Sequence, residues 1–284
     1  PNVKKISSHI SKKVADRLEE LFKEDRAAFE SKWDDIKIFI EYGMMSDEKF
    51  YERAQKFCLF KTVEQKYFTL EEFKEKIKPL QTDKNEKLVY LYCSDAVEQH
   101  SFLAASKERG YEILLMDHPI DSHFIGFIEQ KLENSTFTRI DSEIIDKLID
   151  KGDPLSSKLD KEQEDALRKI IVDSTADKEK FTVKFEALAV TDAPVIITRN
   201  EFMRRMKEMS ATSGQNFYGE MKDHFELTVN ANHPIIGKVL LEVDPAKQHQ
   251  LIKQSVDLAM LSQNLLKGEE LTEFVKRSLE VMNG

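Results

Sequence analysis

The chain has 284 residues, enough for two domains with separate cores. Hydrophobic residues make up 40% and charged residues 33%, and the formal net charge is -9, which excludes a general nucleic-acid binder because phosphate neutralisation needs a basic surface. No apolar run approaches the roughly 20 residues needed to cross a bilayer.

Nothing at the start reads as a signal peptide, and the chain opens at Pro1 directly before a helical pattern, as expected of a fragment or processed product. The basic pairs Lys4-Lys5, Lys12-Lys13 and Arg204-Arg205 sit beside acidic residues and read as solvated helix faces. Cys58 and Cys93 lie in apolar contexts and read as buried free thiols of a reducing compartment.

Residues 1–80 read as helical. Ile10, Val14, Leu18, Leu21 and Phe22 recur at the spacing of one helical face, and Phe29, Trp33, Ile36, Phe39 and Ile40 continue that period until Gly43 breaks it. Asp47 can cap a new helix carrying Phe50, Ala54 and Phe57, and Thr69 with Glu72 has capping-box spacing for a helix that Pro79 stops. Residues 86–140 change character. β-prone runs start at Lys87 and Tyr111, helix-like segments cover Ala96–Arg109 and Ser122–Glu133, and Phe137-Thr-Arg-Ile adds a third run. Strand and helix alternating with short joints predict parallel strands in a small α/β layer. A polar linker at 141–155, holding Gly152-Asp153-Pro154, divides a domain over 1–155 from a second over 156–284.

The second domain opens with a helix over Lys161–Val172. Thr182-Val-Lys-Phe-Glu-Ala-Leu alternates as a half-buried strand does, a turn follows at Thr191-Asp-Ala-Pro, and Val195-Ile-Ile-Thr returns. Asn200–Ser210 then concentrates three of the nine methionines. Phe202, Met206 and Met209 fall at i, i+4 and i+7, widened by Met203, with Arg204, Arg205, Lys207 and Glu208 opposite. Such a helix serves either as an ordinary core element or as an adaptable binding surface. A third strand at Phe225-Glu-Leu-Thr-Val-Asn and a helix from Pro234, entered through Asn232-His-Pro, follow.

Two helices end the chain. The first carries Leu251, Ile252, Val256, Leu258, Ala259, Leu265 and Leu266, with Ser255 and Ser262 on the same side, and Gly268 ends it. The second, started by Glu269 and Glu270, carries Leu271, Phe274, Val275, Leu279 and Met282. Two helices alone cover such stripes poorly. Either they dock on the preceding sheet, or a second copy completes a four-helix bundle; the terminal position and the small residues favour the dimer. The fold class is therefore mixed α+β and α/β: a helical segment with a small α/β layer, then a three-stranded domain with a terminal helical hairpin.

Motifs of catalysis are not seen. The nine glycines form no phosphate cradle, His118 and His123 read as helix-entry residues rather than metal ligands, and no serine sits in a nucleophile elbow. A small α/β enzyme using a crevice near Asp117 and His123 is the poorest of three readings, behind a binding protein and a dimeric scaffold with the methionine helix packed away.

Longer segments carry more. The run Asn2-Val-Lys-Lys-Ile-Ser-Ser-His-Ile-Ser-Lys-Lys-Val-Ala-Asp-Arg-Leu, the block from Trp33 through Phe39 to Tyr42-Gly43, the run Glu112-Ile-Leu-Leu-Met-Asp-His-Pro-Ile-Asp and Asn232-His-Pro-Ile-Ile occur in that order. Together they resemble the ninety-kilodalton heat-shock chaperone family in its bacterial HtpG form. The resemblance implies the later part of the family's middle domain followed by its C-terminal dimerisation domain. It implies an ATP-driven chaperone, a slow ATPase whose ATP and magnesium bind in an upstream domain, so that this fragment needs no cofactor and hydrolyses nothing itself. It implies a homodimer through the terminal helices, unfolded or partly folded client proteins as partners, no nucleic acid or membrane, and a cytoplasmic location. The family's client-binding helix matches Phe202, Met206, Met209 and Ser210; the serine departs from a large apolar residue there, and Met203 shares the load. Where related middle domains place an aromatic and, three residues later, an asparagine, this chain has His123 and Gly126, so Phe124 and Phe127 are the aromatic candidates.

Overall fold

The computed structural model describes residues 2–152, 154–175, 180–213 and 224–283. They form two compact units of mixed helix and sheet. Of the described residues, the first unit holds 2–96, 105–139 and 208–213 and the second holds the remainder.

In the first unit, α1 (Asn2–Glu24), α2 (Arg26–Glu30), α3 (Trp33–Ser46) and α4 (Glu48–Ala54) follow one another closely. Asp25 accepts from the Ala28 N–H, and Asp47 accepts from the Lys49 and Phe50 N–H groups, so the α1–α2 and α3–α4 junctions are also caps. Phe29, Trp33, Ile40, Met44, Phe50 and Ala54 fill the core between them. The apolar face expected on α1 is split. Ala15, Leu18 and Phe22 turn inward, whereas Ile10, Val14 and Leu21 are exposed. Phe39, expected to continue the buried stripe of α3, is 75% exposed. With Ile10, Val14, Tyr42 and Phe50 it lines an apolar groove of about 410 Å³.

Gly43 does not break α3, which runs on to Ser46. A Cβ at Gly43 would stand 2.9 Å from the Phe50 ring, so glycine is what lets α4 fold back against α3. Gly43→Ala gains about 1 kcal/mol of helix propensity and forces a buried ring aside at about 1–3 kcal/mol. A net loss of about 1 kcal/mol, measured by urea unfolding, is expected.

The stretch before Pro79 is not all helical. β1 (Leu59–Lys61) and β2 (Tyr67–Thr69) form an antiparallel hairpin whose turn holds Gln65 at φ 62°. The signal lies in two short β-prone runs, Leu59-Phe-Lys and Tyr67-Phe-Thr, on either side of a polar turn. Thr69 then caps α5 (Leu70–Ile77) with Glu72 in a reciprocal capping box, as expected.

The α/β layer forms as predicted. β3 (Leu88–Cys93) is central and buried along its whole length, with β4 (Ile113–Leu115) and β5 (Ser135–Arg139) parallel on either side. In sequence α6 (His100–Glu108) and α7 (Asp121–Glu129) separate these strands. Register pairs Tyr90 with Phe137, whose rings stack with centroids 4.7 Å apart.

In the second unit Ile140, Ile144, Leu148 and Ile149 are buried around the short α8 (Ile145–Leu148). Asp160 and Gln163 form a capping box for α9 (Lys161–Ser174). The three expected strands are present as β6 (Phe181–Glu186), β7 (Val195–Arg199) and β8 (Phe225–Asn230), but β6 and β7 are not neighbours. β8 lies between them, parallel to β6 and antiparallel to β7. The reason is burial: β8 is enclosed at almost every position, including Thr228 and Asn230, and belongs in the middle, whereas β6 is half-exposed and suits an edge. Asn230 and Asn232 sew the loops to this sheet. Asn230 accepts from the Leu188 and Asn232 N–H groups, and Asn232 accepts from the Lys158 N–H.

The chain closes with α10 (Glu201–Ser213), which precedes β8, and then α11 (Pro234–Leu241), α12 (Pro245–Ser262) and α13 (Gly268–Asn283). α11 starts at Pro234 as expected, with His233 Nδ1 accepting from the Ile235 N–H. Among the described residues no helix is long and apolar enough to cross a membrane.

Candidate functional site

Two surfaces concentrate the residues singled out from the sequence. The first is α10. Asn200 caps it by accepting from the Met203 N–H at 3.1 Å. Phe202 is 69% exposed, and Met203, Met206 and Met209 are half-buried. Ser210 is buried, in keeping with its small size where a larger apolar residue was expected. The opposite face departs from the solvated face read for Arg204 and Arg205, whose side chains keep only 9% and 15% of their accessible surface. Glu201 one turn earlier explains how two arginines tolerate cover. Its carboxylate accepts from Arg204 at 2.9 Å and from Arg205 at 2.5 Å, pairing both charges locally.

The α7 residues divide. Phe124 is fully buried, stacked on Phe60 at 6.0 Å, and so contributes to the core rather than to any aromatic surface. Phe127 is half-buried, packed edge-on to Tyr51 and beneath the Lys131 ammonium at 5.5 Å. His123 and Gly126 are half-buried, and a Cβ at Gly126 would meet open space. Within the first unit the Ser122 hydroxyl donates to the Glu208 carboxylate, and the Arg139 guanidinium lies 3.6 Å from the same group. Of the enzyme reading, Asp117 is exposed, while the neighbouring carboxylate of Asp121 turns inward to Lys37.

The second surface is the terminal hairpin. Asp244 caps α12 at the Ala246 N–H and Pro245 takes its first turn. Gly268 does not end α12. The helix stops at Ser262, Asn264 adopts the left-handed conformation at φ 55°, and Gly268 opens α13. Leu265 and Leu266 therefore lie in the connection. The fourteen positions expected at a subunit interface separate into three sets. Ile252, Ser255, Val256, Ala259, Leu266 and Phe274 are buried, and the apolar members of this set join Leu167, Ile171 and Leu227 in the unit's own core. Leu251, Leu265 and Leu271 pack partly against it. Leu258, Ser262, Val275, Leu279 and Met282 are exposed, joined by Leu261, which the sequence reading missed. Docking on the sheet thus accounts for one face of the hairpin and leaves a second apolar face open.

A polar network that sequence reasoning also missed holds the two helices together. Asp257 is fully buried on α12 and accepts from Lys253 at 2.6 Å and from Arg277 of α13. Arg277 Nε donates to Gln254 at 2.9 Å, and Gln254 in turn donates to the Ser278 hydroxyl at 2.9 Å. The signal was an aspartate inside an apolar stripe, which needs a cation opposite.

Comparison with known proteins decides the family. The model of the Hsp90 protein family matches residues 2–283. The chain belongs to the Hsp90 family. It is 39% identical to the Chaperone protein htpG of Bacteroides fragilis and to the Chaperone protein HtpG of Bacteroides thetaiotaomicron, in each case over 99% of this chain and 51% of the relative. The HtpG of Porphyromonas gingivalis is 37% identical over the same shares. This Hsp90-family chain therefore spans about half the length of the curated relatives it matches. The alignments with the Bacteroides relatives run over 348 residues, more than the 284 of this chain, so those relatives carry extra residues within the matched span.

Proposed function

We propose that this chain forms the dimerisation module and part of the client-binding surface of an ATP-driven chaperone of the bacterial cytoplasm. Family membership supports the chaperone role. The observation that carries dimerisation is the open apolar face of the hairpin, with Leu258, Leu261, Val275, Leu279 and Met282 exposed on a unit whose core is already complete. A second copy of that face would cover it as a four-helix bundle. On this reading ATP and magnesium act in the part of the family's chain that lies outside these residues, and this part catalyses nothing by itself. The boundary between the family's middle and dimerisation domains falls near residue 155, and the buried free thiols Cys58 and Cys93 suit a reducing compartment.

Client contact is assigned to Phe202, Met203, Met206 and Met209 of α10, with Ser210 at the end of the stripe and His123, Gly126 and Phe127 of α7 as a further patch. Methionine side chains adapt their shape and place few hydrogen-bond demands, which suits weak and broad recognition of unfolded segments. Half-burial of the methionines favours one alternative, a dimeric scaffold in which α10 is structural. Changing both Met206 and Met209 to Ser separates the two. About tenfold weaker binding of an unfolded model substrate at unchanged melting temperature is expected; unchanged affinity with a lowered melting temperature means that α10 is scaffold.

A further inference from the structure

A polar cluster lies inside the first unit, between α3 and α7. Lys37 Nζ approaches both oxygens of Asp121, at 2.9 and 3.0 Å, and stands 4.0 Å from Glu41 Oε1, one turn along its own helix. Asp121 accepts a further bond from the His118 N–H at 3.0 Å. Glu41 is only 1% exposed, and among the described residues its Oε2 meets no hydrogen-bond donor. Two more titratable groups face the cluster: Asp117, from the segment before α7, and the buried Cys58 thiol, from the segment after α4.

Two carboxylates opposite one ammonium leave a negative charge unmatched in a buried site. Holding such a charge costs several kcal/mol, and a buried acid avoids that cost by keeping its proton. The geometry says which acid keeps it. Each acid has one oxygen without a hydrogen bond among the described residues, but the other oxygen of Asp121 accepts from both Lys37 and the His118 N–H, whereas Glu41 stands 4.0 Å from the lysine. Burial raises both acids, but at Asp121 it is opposed by the Lys37 ammonium and by the His118 N–H as well. Burial pushes the Glu41 carboxyl up to about 8, opposed by Lys37 and reinforced by Asp121. Burial opposes the charge of Lys37, but the Glu41 and Asp121 carboxylates outweigh it and raise its pKa, so the lysine stays charged.

We propose that Glu41 is a proton-held latch: as the neutral acid it lets α3 and α7 close over the Lys37–Asp121 pair, and its ionisation loosens the seam between these helices. The sign follows from proton binding. The usual glutamate value is 4.5 and the folded value about 8, so the native state holds an extra proton between them. The stability that this proton confers is complete below about pH 4.5 and is lost as pH rises through about 8. The inference stands on packing within the first unit and does not rest on client binding by α7.

Amide hydrogen exchange of the whole chain tests it, read as protection factors so that intrinsic base catalysis is divided out. Protection of the Phe124–Ile128 amides is expected to fall by about tenfold or more between about pH 6 and pH 9 in the native protein, and to stay level in Glu41→Gln. No fall, or an equal fall in the variant, overturns the latch. A carboxyl-carbon NMR titration of the unmutated protein gives a second reading. A Glu41 midpoint near pH 8 supports the proposal, and one at the ordinary glutamate value overturns it.

Discussion

Val275→Ser combined with Leu279→Ser is expected to convert the proposed dimer to a monomer at about ten micromolar, as read by sedimentation or native mass measurement, with its helical circular dichroism retained. Both side chains are exposed on the outer face of α13, so their loss removes nothing from the core of the second unit. In a symmetric dimer the double change acts in both copies and deletes four apolar side chains from the interface. Burial of each is worth up to about 1.5–3 kcal/mol, and about 6 kcal/mol in total corresponds to a dissociation constant raised by about four orders of magnitude. An unmutated protein that is already monomeric at that concentration would remove the basis for the four-helix bundle. Substitutions on the inner face of α12 act differently. Ile252 and Val256 lie in the unit's own core, and truncating them costs folding stability whether or not a partner is present.

The second large effect is expected at Asp257. Its carboxylate is fully enclosed and draws together Lys253 on its own helix and Arg277 on the next. Asp257→Ala leaves the covered Arg277 guanidinium without its counter-charge. Breaking a buried pair on one side costs about 3–5 kcal/mol, far more than the pair itself contributes relative to apolar packing. A melting temperature lower by on the order of ten degrees is expected by calorimetry, with Asp257→Asn intermediate because the amide oxygen still accepts. Equal melting temperatures for Asp257→Ala and the unmutated chain would show that the hairpin is held by its apolar seam alone. This network also bears on the proposed dimer: by fixing α13 against α12, Arg277 and Gln254 fix the geometry in which Val275 and Leu279 are presented.

Much of the architecture was legible from local chemistry. The capping box at Thr69 and Glu72, the cap at Asp47 and the start of α11 at Pro234 are short-range features, and each is present where the residue types required it. The run of β-prone residues from Leu88 to Cys93 became a central parallel strand because a segment apolar on both faces can only be covered from both sides. The segment-level resemblance led to the family that the whole-chain comparison established.

What escaped the sequence has a common cause: periodicity reveals that a face is apolar but not what covers it. α12 and α13 carry more apolar surface than one partner can take, and only the packed structure assigns Ile252 and Val256 inward and Val275 and Leu279 outward. Phe124 and Phe127 look alike as aromatic candidates, yet the first is enclosed against Phe60 and the second reaches Tyr51 at the edge. Gly43 reads as a breaker from its intrinsic conformational freedom, and the close approach of Phe50 shows it instead to be a spacer within a helix. By itself, then, the sequence determined most of the helices, six of the eight described strands, several caps and the family, because these depend on neighbours a few residues apart. The tertiary structure alone decided the place of β8 between β6 and β7, the inner and outer faces of the hairpin, and the meeting of Lys37 with Asp121 and of Asp257 with Arg277. Those outcomes depend on groups far apart along the chain, where burial, strand pairing and the cost of an unmatched charge choose the partner.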